Sequence, residues 1–520
     1  MLKKSLYKGF SQVINQAIIS ITMTDTEAHG KHLFRLSCAL MPVRFSHKMK
    51  HNRLFLTLLL LLAFSAGAWA ERAKYVFYFI GDGMGVNQVN GAETYTAALE
   101  GRIGVTPLCF TQFPHAAFVT TYSGTNGVTD SAAAGTALAT ATKTKNGALG
   151  VKTDLTTPVN SVAVWAKNAG AAVGVGTSVS VDHATPAAFY AHVPKRKMYH
   201  EIGKDLIRAD FDFYAGSDFL KPNKEGSDEP SLYVQCENAG YVLAHGYKDF
   251  QKKSKKAEKL ILFQSDEANK RDNSSLPYAI DRTSKDMTLQ DVTRAGIKFL
   301  TDKKKDGFFL MIEGGKIDWA CHSNDAGTAF RELKDMDDAV KVAYEFYAQH
   351  PDETLIVITA DHETGGISLG RGPYELHTSN FRFQRMSVEA YSKHLQEMRD
   401  KLGDKFTWSV VENDLKKNWG FGAGITLSED QTKRLRKAYE NTVNGSAKDK
   451  SSLYAKLNAL SDAAREVMAE TALIGWQSGG HSNGFVPVFA IGAGAEKFHG
   501  QIDNTEIPQK IAEAAEWKQM

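Results

Sequence analysis

The chain has 520 residues, 43% of them hydrophobic and 23% charged, with a formal net charge of +3. That composition supplies apolar material for one large core or two ordinary ones, which excludes global disorder. So small a net charge at this length gives no ground for nucleic acid or an anionic membrane as the main partner, and any affinity for anions has to be local.

From Met49 the sequence passes through Lys50, His51 and Arg53, an almost wholly apolar stretch at 54–64, and then Ala68-Trp69-Ala70. This is the layout of a secretory signal peptide at 49–70. The apolar stretch is shorter than the roughly 20 residues that a spanning helix needs. The expectation is an exported protein, periplasmic or extracellular, without a stable membrane anchor, in which residues 1–48 are an upstream extension or a mis-assigned start. Cleavage after Ala70 would remove Cys38 and leave Cys109, Cys236 and Cys321. Their wide spacing fixes no disulfide pair and does not match a zinc ribbon.

Beyond residue 70, short apolar runs at 75–80, 173–175, 260–263, 308–312, 355–359 and 486–491 read as strands buried on both faces. Helical patterns lie between them at 131–141, 289–300 and 328–349. Alternation of this kind predicts an α/β fold, a doubly wound and mostly parallel sheet sandwiched by helices. Its ligand site should lie beyond the carboxyl ends of the strands. The α/β domain is expected at 71–372 and 476–520. Residues 373–475 read as a mainly helical, cap-like insertion, with a capping box at Ser428 and Gln431. The lysine-rich stretch 246–259 and the cluster Lys433, Arg434, Arg436 and Lys437 read as solvated faces.

Chemistry-bearing residues follow those strands. Gly81-Asp82-Gly83-Met84-Gly85 comes directly after the first run; the dinucleotide fingerprint fails because position 88 is Gln88. A carboxylate between glycines at a strand end is instead placed to reach a metal. Glu313 ends the 308–312 run, and Asp318 and His322, four apart on a helix, project from one face as two ligands of one zinc ion would. Asp361-His362-Glu363 follows 355–359, and His481 sits in a glycine-flanked stretch before the last strand. Together Asp82, Glu313, Asp318, His322, Asp361, His362 and His481 form a mixed nitrogen and oxygen set suited to zinc with magnesium beside it. Ser131 opens an alanine-rich helix, where either Asp130 or Ser131 could serve only as a cap. The same N-terminus also suits a phosphate, and a hydroxyl beside a metal is a credible nucleophile.

Thr129-Asp130-Ser131-Ala132-Ala133-Ala134-Gly135-Thr136 resembles the signature of alkaline phosphatases, and the metal-type motifs fall in that family's order. The resemblance covers about 74–370 and 476–495. It implies hydrolysis of small-molecule phosphate monoesters by double displacement through a phosphoserine at Ser131, with two zinc ions and one magnesium ion, in a homodimer. Asp318, His322 and His481 would hold the first zinc, and Asp361, His362 and Asp82 the second. Asp82, Glu313 and Thr185 would hold magnesium, and Arg196 would grip the phosphate. His183 and Trp319 depart from the best-known bacterial pattern, which leaves the third ion open. A phosphodiesterase or sulfatase on the same fold, and a binding protein that has lost activity, are the alternatives.

Overall fold

Among the described residues ten strands form the central sheet: β1 Tyr75–Gly81, β2 His115–Thr120, β3 Ala172–Thr177, β4 Phe213–Gly216, β5 Tyr241–His245, β6 Lys259–Phe263, β7 Phe308–Gly314, β8 Thr354–Ala360, β9 Val486–Gly492 and β10 Gly500–Asp503. This computed structural model describes residues 72–303, 305–445 and 449–519; the expected signal peptide and upstream extension lie outside the described residues. The strand order is β10-β2-β9-β8-β1-β7-β3-β4-β6-β5. Every pairing is parallel except those that β9 makes with β2 and β8. The sheet is therefore mostly parallel, as the alternating pattern predicts.

The register sets up the site. Gly81 at the end of β1 is level with Gly314 of β7 and Ala360 of β8, so the residues that follow leave the sheet at one edge. Strands β1, β3, β7 and β8 read as unbroken apolar runs because both their faces are covered. The reversed direction of β9 returns the chain to the same edge: just before it, His481–Ser482 pairs antiparallel with Glu363–Thr364, setting His481 level with Thr364.

Helices flanking the site include α1 Val86–Leu99, α2 Ser131–Thr140, α3 Ala184–Ala187, α4 Leu289–Thr301, α5 Lys316–His322 and α6 Ala326–Tyr347. The segment 373–475 is mainly helical, with α7 Val388–Leu402, α8 Trp408–Trp419, α9 Glu429–Val443 and α10 Ala459–Thr471. Both halves of the Ser428–Gln431 capping box form. Its buried Tyr391, Leu395, Val411, Trp419, Leu460 and Val467 belong to the same continuous core as the sheet strands, while Val388, Ala455 and Leu457 form a small cluster apart. Lys433 and Arg436 on α9 pair with Glu429 and Glu440 one turn away, as a solvated helix face does. In the lysine-rich stretch, Lys248, Lys252, Lys255 and Lys256 are exposed, whereas Lys259 opens β6 and ties its ammonium to the Ala239 carbonyl. Among the described residues Cys109, Cys236 and Cys321 are free thiols, and no helix is long and apolar enough to cross a membrane.

Candidate active site

All seven metal-type residues converge at this edge. Asp82, Glu313, Asp318, Asp361 and His362 are fully buried at 0% exposure. Their ligand atoms fall into three groups, each within 4.8 Å: Asp318, His362 and His481; Asp82, Asp361 and His362; and Asp82, His183 and Glu313. His362 Nε2 lies 3.2 Å from Asp361 Oδ2 and 3.4 Å from Asp82 Oδ1. His322 adjoins the first group, with Nε2 3.2 Å from Asp318 Oδ2 and 3.2 Å from His481 Nε2.

The donor set fits metal ions on two independent observations. His322, His481 and His362 each have an oxygen at Nδ1: the Gly479 carbonyl for His322 at 2.6 Å, the Thr129 carbonyl for His481 at 2.8 Å, and the Thr364 hydroxyl for His362 at 3.2 Å. The Thr364 hydroxyl donates to Asp318 Oδ1, so it accepts from His362. With the proton fixed on Nδ1, each Nε2 lone pair points into the cluster, the arrangement that oxygens accepting from Nδ1 impose on metal-binding histidines. Both Asp82 carboxylate oxygens, Glu313 Oε1, Asp318 Oδ2 and Asp361 Oδ2 are buried and make no hydrogen bond among the described residues. Buried carboxylate oxygens without donors need a cation or a proton.

The electrostatics agree. Burial, then the neighbouring carboxylates Asp361, Asp318 and Glu313, push Asp82 well above the usual carboxylate range. Burial and Asp318 do the same to Asp361. Burial lifts Glu313 to about 7 against the hydroxyls of Thr177 and Thr185. Asp318 is likewise buried, but His322 and His481 beside it hold it low. Burial drives His362 well below its ordinary value, so its imidazole is neutral and able to ligate.

The two capping readings of the α2 N-terminus separate cleanly. Asp130 is the cap, accepting from Ala133 N at 3.0 Å, and Ser131 is the first helical residue. The Ser131 hydroxyl is therefore free of capping and lies 3.2 Å from His362 Nε2, fully buried beside the ligand cluster. Asp130 also accepts from Gly147 N at 2.9 Å and from Arg196 Nη1 at 3.2 Å, which brings Arg196 to the N-terminus of α2. Arg196 Nη2 approaches His183 Nε2 at 3.4 Å. Burial and Arg196 lower His183 to about 3, so it too is neutral. Thr185 is buried on α3, two residues from His183. Trp319 is buried on α5 with its ring centroid 5.9 Å from that of His183.

Some contributors escape a sequence reading. Thr364 lies inside the Asp361–Gly366 stretch, two residues past His362, but nothing in the sequence marks its hydroxyl as the link between His362 and Asp318. Thr177 ends β3 level with Glu313 and donates to it, visible only once the strands are paired. Gly83 has φ +72°, donates its N–H to Asp361 Oδ1 at 3.1 Å, and a Cβ there would come within 2.9 Å of Asp318 Cα. Gly83→Ala is therefore expected to destabilise the fold by about 2 kcal/mol or more, read by denaturant unfolding. Stability within about 0.5 kcal/mol of the parent would contradict the close approach.

Sheet, ligand cluster, helix N-terminus and arginine together define a hydrolase that works on phosphate esters with metal ions. The alkaline phosphatase family model matches residues 73–210 and 232–517. Alkaline phosphatase 3 of Bacillus subtilis (strain 168) is 34% identical over 454 residues, which are 86% of this chain and 90% of the relative. The crystal structure of the cold-active alkaline phosphatase of a Shewanella species is 28% identical, covers 85% of this chain and 99% of its own, and superposes with a TM-score of 0.70. A variant alkaline phosphatase of the Antarctic bacterium TAB5, solved with magnesium in its M3 site, is 25% identical, covers 86% and 99%, and has a TM-score of 0.60. This chain belongs to the alkaline phosphatase family. It is a hydrolase of phosphate monoesters, releasing an alcohol and inorganic phosphate. The family match runs straight through 373–475, which the sequence resemblance sets aside as an insertion, and leaves out 211–231 instead.

Proposed function

We propose that Ser131 is the nucleophile and that the site holds two zinc ions and one magnesium ion. The observation that carries the first part is the Ser131 hydroxyl, released from capping by Asp130 and lying 3.2 Å from His362 Nε2 within the ligand cluster. Asp318, His322 and His481 would hold one zinc and Asp82, Asp361 and His362 the other, which accords with the fixed Nδ1 protons. Asp82, Glu313 and Thr185, with His183 beside them, would hold magnesium; the TAB5 variant solved with magnesium in its M3 site carries a glutamate in place of a histidine. A neutral imidazole in place of a carboxylate makes this third group a weaker magnesium selector. Bound ions supply Lewis-acid polarisation of the phosphoryl oxygens and offset the charge of the clustered carboxylates.

The chain's own residues do the rest. Ser131 Oγ bonds to phosphorus as the ester oxygen leaves with a proton, giving a phosphoserine; water then cleaves that bond, returning the serine and releasing inorganic phosphate. The α2 N-terminus directs unpaired N–H groups at the phosphoryl oxygens. Arg196, anchored by Asp130, offers the remainder of its guanidinium fork to two of those oxygens. A cavity of about 660 Å³ bounded by Asn126, Thr129, Asn146 and His481 gives the leaving alcohol room. The 49–70 pattern supports export, and the family resemblance supports a homodimer.

Metal analysis of the purified protein beside assays of an aryl phosphate monoester, a diester and a sulfate ester tests this reading. Zinc and magnesium with preference for the monoester are expected, and faster diester or sulfate turnover would overturn it. Arg196→Ala should lower kcat/KM by about 10- to 100-fold, with KM rising, since a bidentate charged contact is lost. Unchanged kcat/KM would remove Arg196 from the phosphate site.

A further inference from the structure

Arg196 is held from a third side by a residue that neither the motifs nor the strand ends point to. Its Nη2 donates to the Tyr454 hydroxyl at 3.5 Å. Tyr454 comes from a small antiparallel hairpin pairing Lys450–Ser451 with Lys456–Leu457, inside the helical segment. The hairpin is seated: Leu457 is fully buried against Val388 of α7, and Ser452 Oγ meets Ser323 Oγ at 3.4 Å just past His322. The Tyr454 ring stacks on Trp319 with centroids 4.4 Å apart and planes 12° apart, and stands edge-on to His322 at 5.5 Å. Lys316 Nζ, buried, lies 4.5 Å from the Trp319 centroid. A cation, an indole and a phenol thus form a rigid stack that ends in a hydroxyl at the phosphate-binding arginine.

We propose that Tyr454 is a positioning residue for Arg196, and that through it the 373–475 segment completes the phosphate site; this rests on the assignment of Arg196 to the phosphate. An arginine side chain has many rotamers, and fixing its planar fork in advance lowers the entropy cost of each phosphate contact. Asp130 holds one end of the guanidinium and Tyr454 the other, which sets the plane of the fork. Burial keeps the phenol far above its ordinary pKa, so it stays neutral and retains its own proton while accepting from Arg196.

Tyr454→Phe keeps the stack and removes the hydroxyl; Tyr454→Ala removes both. Binding of inorganic phosphate to each protein by titration calorimetry, KM, kcat and melting temperature are compared with the parent and with Ser131→Ala. Phosphate affinity is expected to weaken about three- to tenfold in Tyr454→Phe, the loss of one hydrogen bond from a charged donor, and further in Tyr454→Ala. KM should rise in step while kcat stays within about threefold and the Phe variant melts with the parent. Phosphate affinity within about twofold of the parent in both variants, or a fall in kcat alone, would overturn the proposal. Arg196→Ala, titrated alongside, separates the two readings: phosphate affinity within about twofold of the parent in that variant would sink the Arg196 assignment, whereas a loss there with none in the Tyr454 variants would sink the positioning role alone.

Discussion

Ser131→Ala is expected to lower turnover of an aryl phosphate monoester by at least about a thousandfold, since removing a nucleophile leaves only the binding and electrostatic terms. Folding should hardly change. Asp130, not Ser131, supplies the side-chain cap of α2, and residues 132–134 are already alanines in the same buried helix. The variant should keep the parent's melting temperature and metal content while phosphate no longer becomes covalently attached to the chain. Residual turnover above about a tenth of the parent would mean that another group accepts the phosphoryl. A well-folded but inert variant separates chemistry from packing.

Chelation is expected to give the second large effect: activity should be lost and then regained with added zinc, and the stripped protein should become pH-sensitive in a defined direction. Glu313 rises to about 7 in the folded chain, and Asp82 and Asp361 rise well above their ordinary values. Acids raised in this way stabilise the fold while protonated, and that contribution disappears as pH climbs through the folded value. His322 is raised despite its burial, through Asp318, and acts in the same sense. His183 and His362 are lowered and act oppositely, but only below their ordinary value of 6.5. From about pH 6.5 upward the shifts of Glu313, Asp82, Asp361 and His322 agree, so the stripped protein's melting temperature should fall towards pH 8.5. Stabilisation by added zinc should grow over the same interval, because deprotonated ligands bind metal. A melting temperature that rises with pH after stripping would contradict the buried carboxylate cluster.

Strands were legible where both faces are buried. Tyr75–Gly81 and Thr354–Ala360 show as apolar runs, whereas His115–Thr120 alternates in burial, Tyr241–His245 lies at the sheet edge, and Gly500–Asp503 reads Gly-Gln-Ile-Asp with little apolar signal. Phe213–Gly216 is buried but too short to stand out. Within the site, carboxylates and imidazoles at strand ends declare themselves because sheet topology dictates where they go. Arg196 and Thr185 could be found only through the family signature, since one sits among lysines and the other in a short helix. Thr364, Thr177 and Tyr454 were out of reach because their roles come from partners 46, 136 and 258 residues away in sequence. The family match runs through 373–475, and that segment shares the buried core of the sheet strands.

The central position of β1 has a consequence for how the molecule is made. Tyr75 pairs with Phe308 on one side and with Thr354 on the other, so β1, the earliest of the described strands, cannot be flanked until most of the chain exists. Until then Tyr-Val-Phe-Tyr-Phe-Ile is an unpaired apolar segment of high β propensity, the kind of sequence that aggregates. Non-local closure of this sort also slows folding. The chain should therefore depend on holding factors while it is incomplete, and tolerate truncation from its C-terminal side far less well than its compact helices alone would imply.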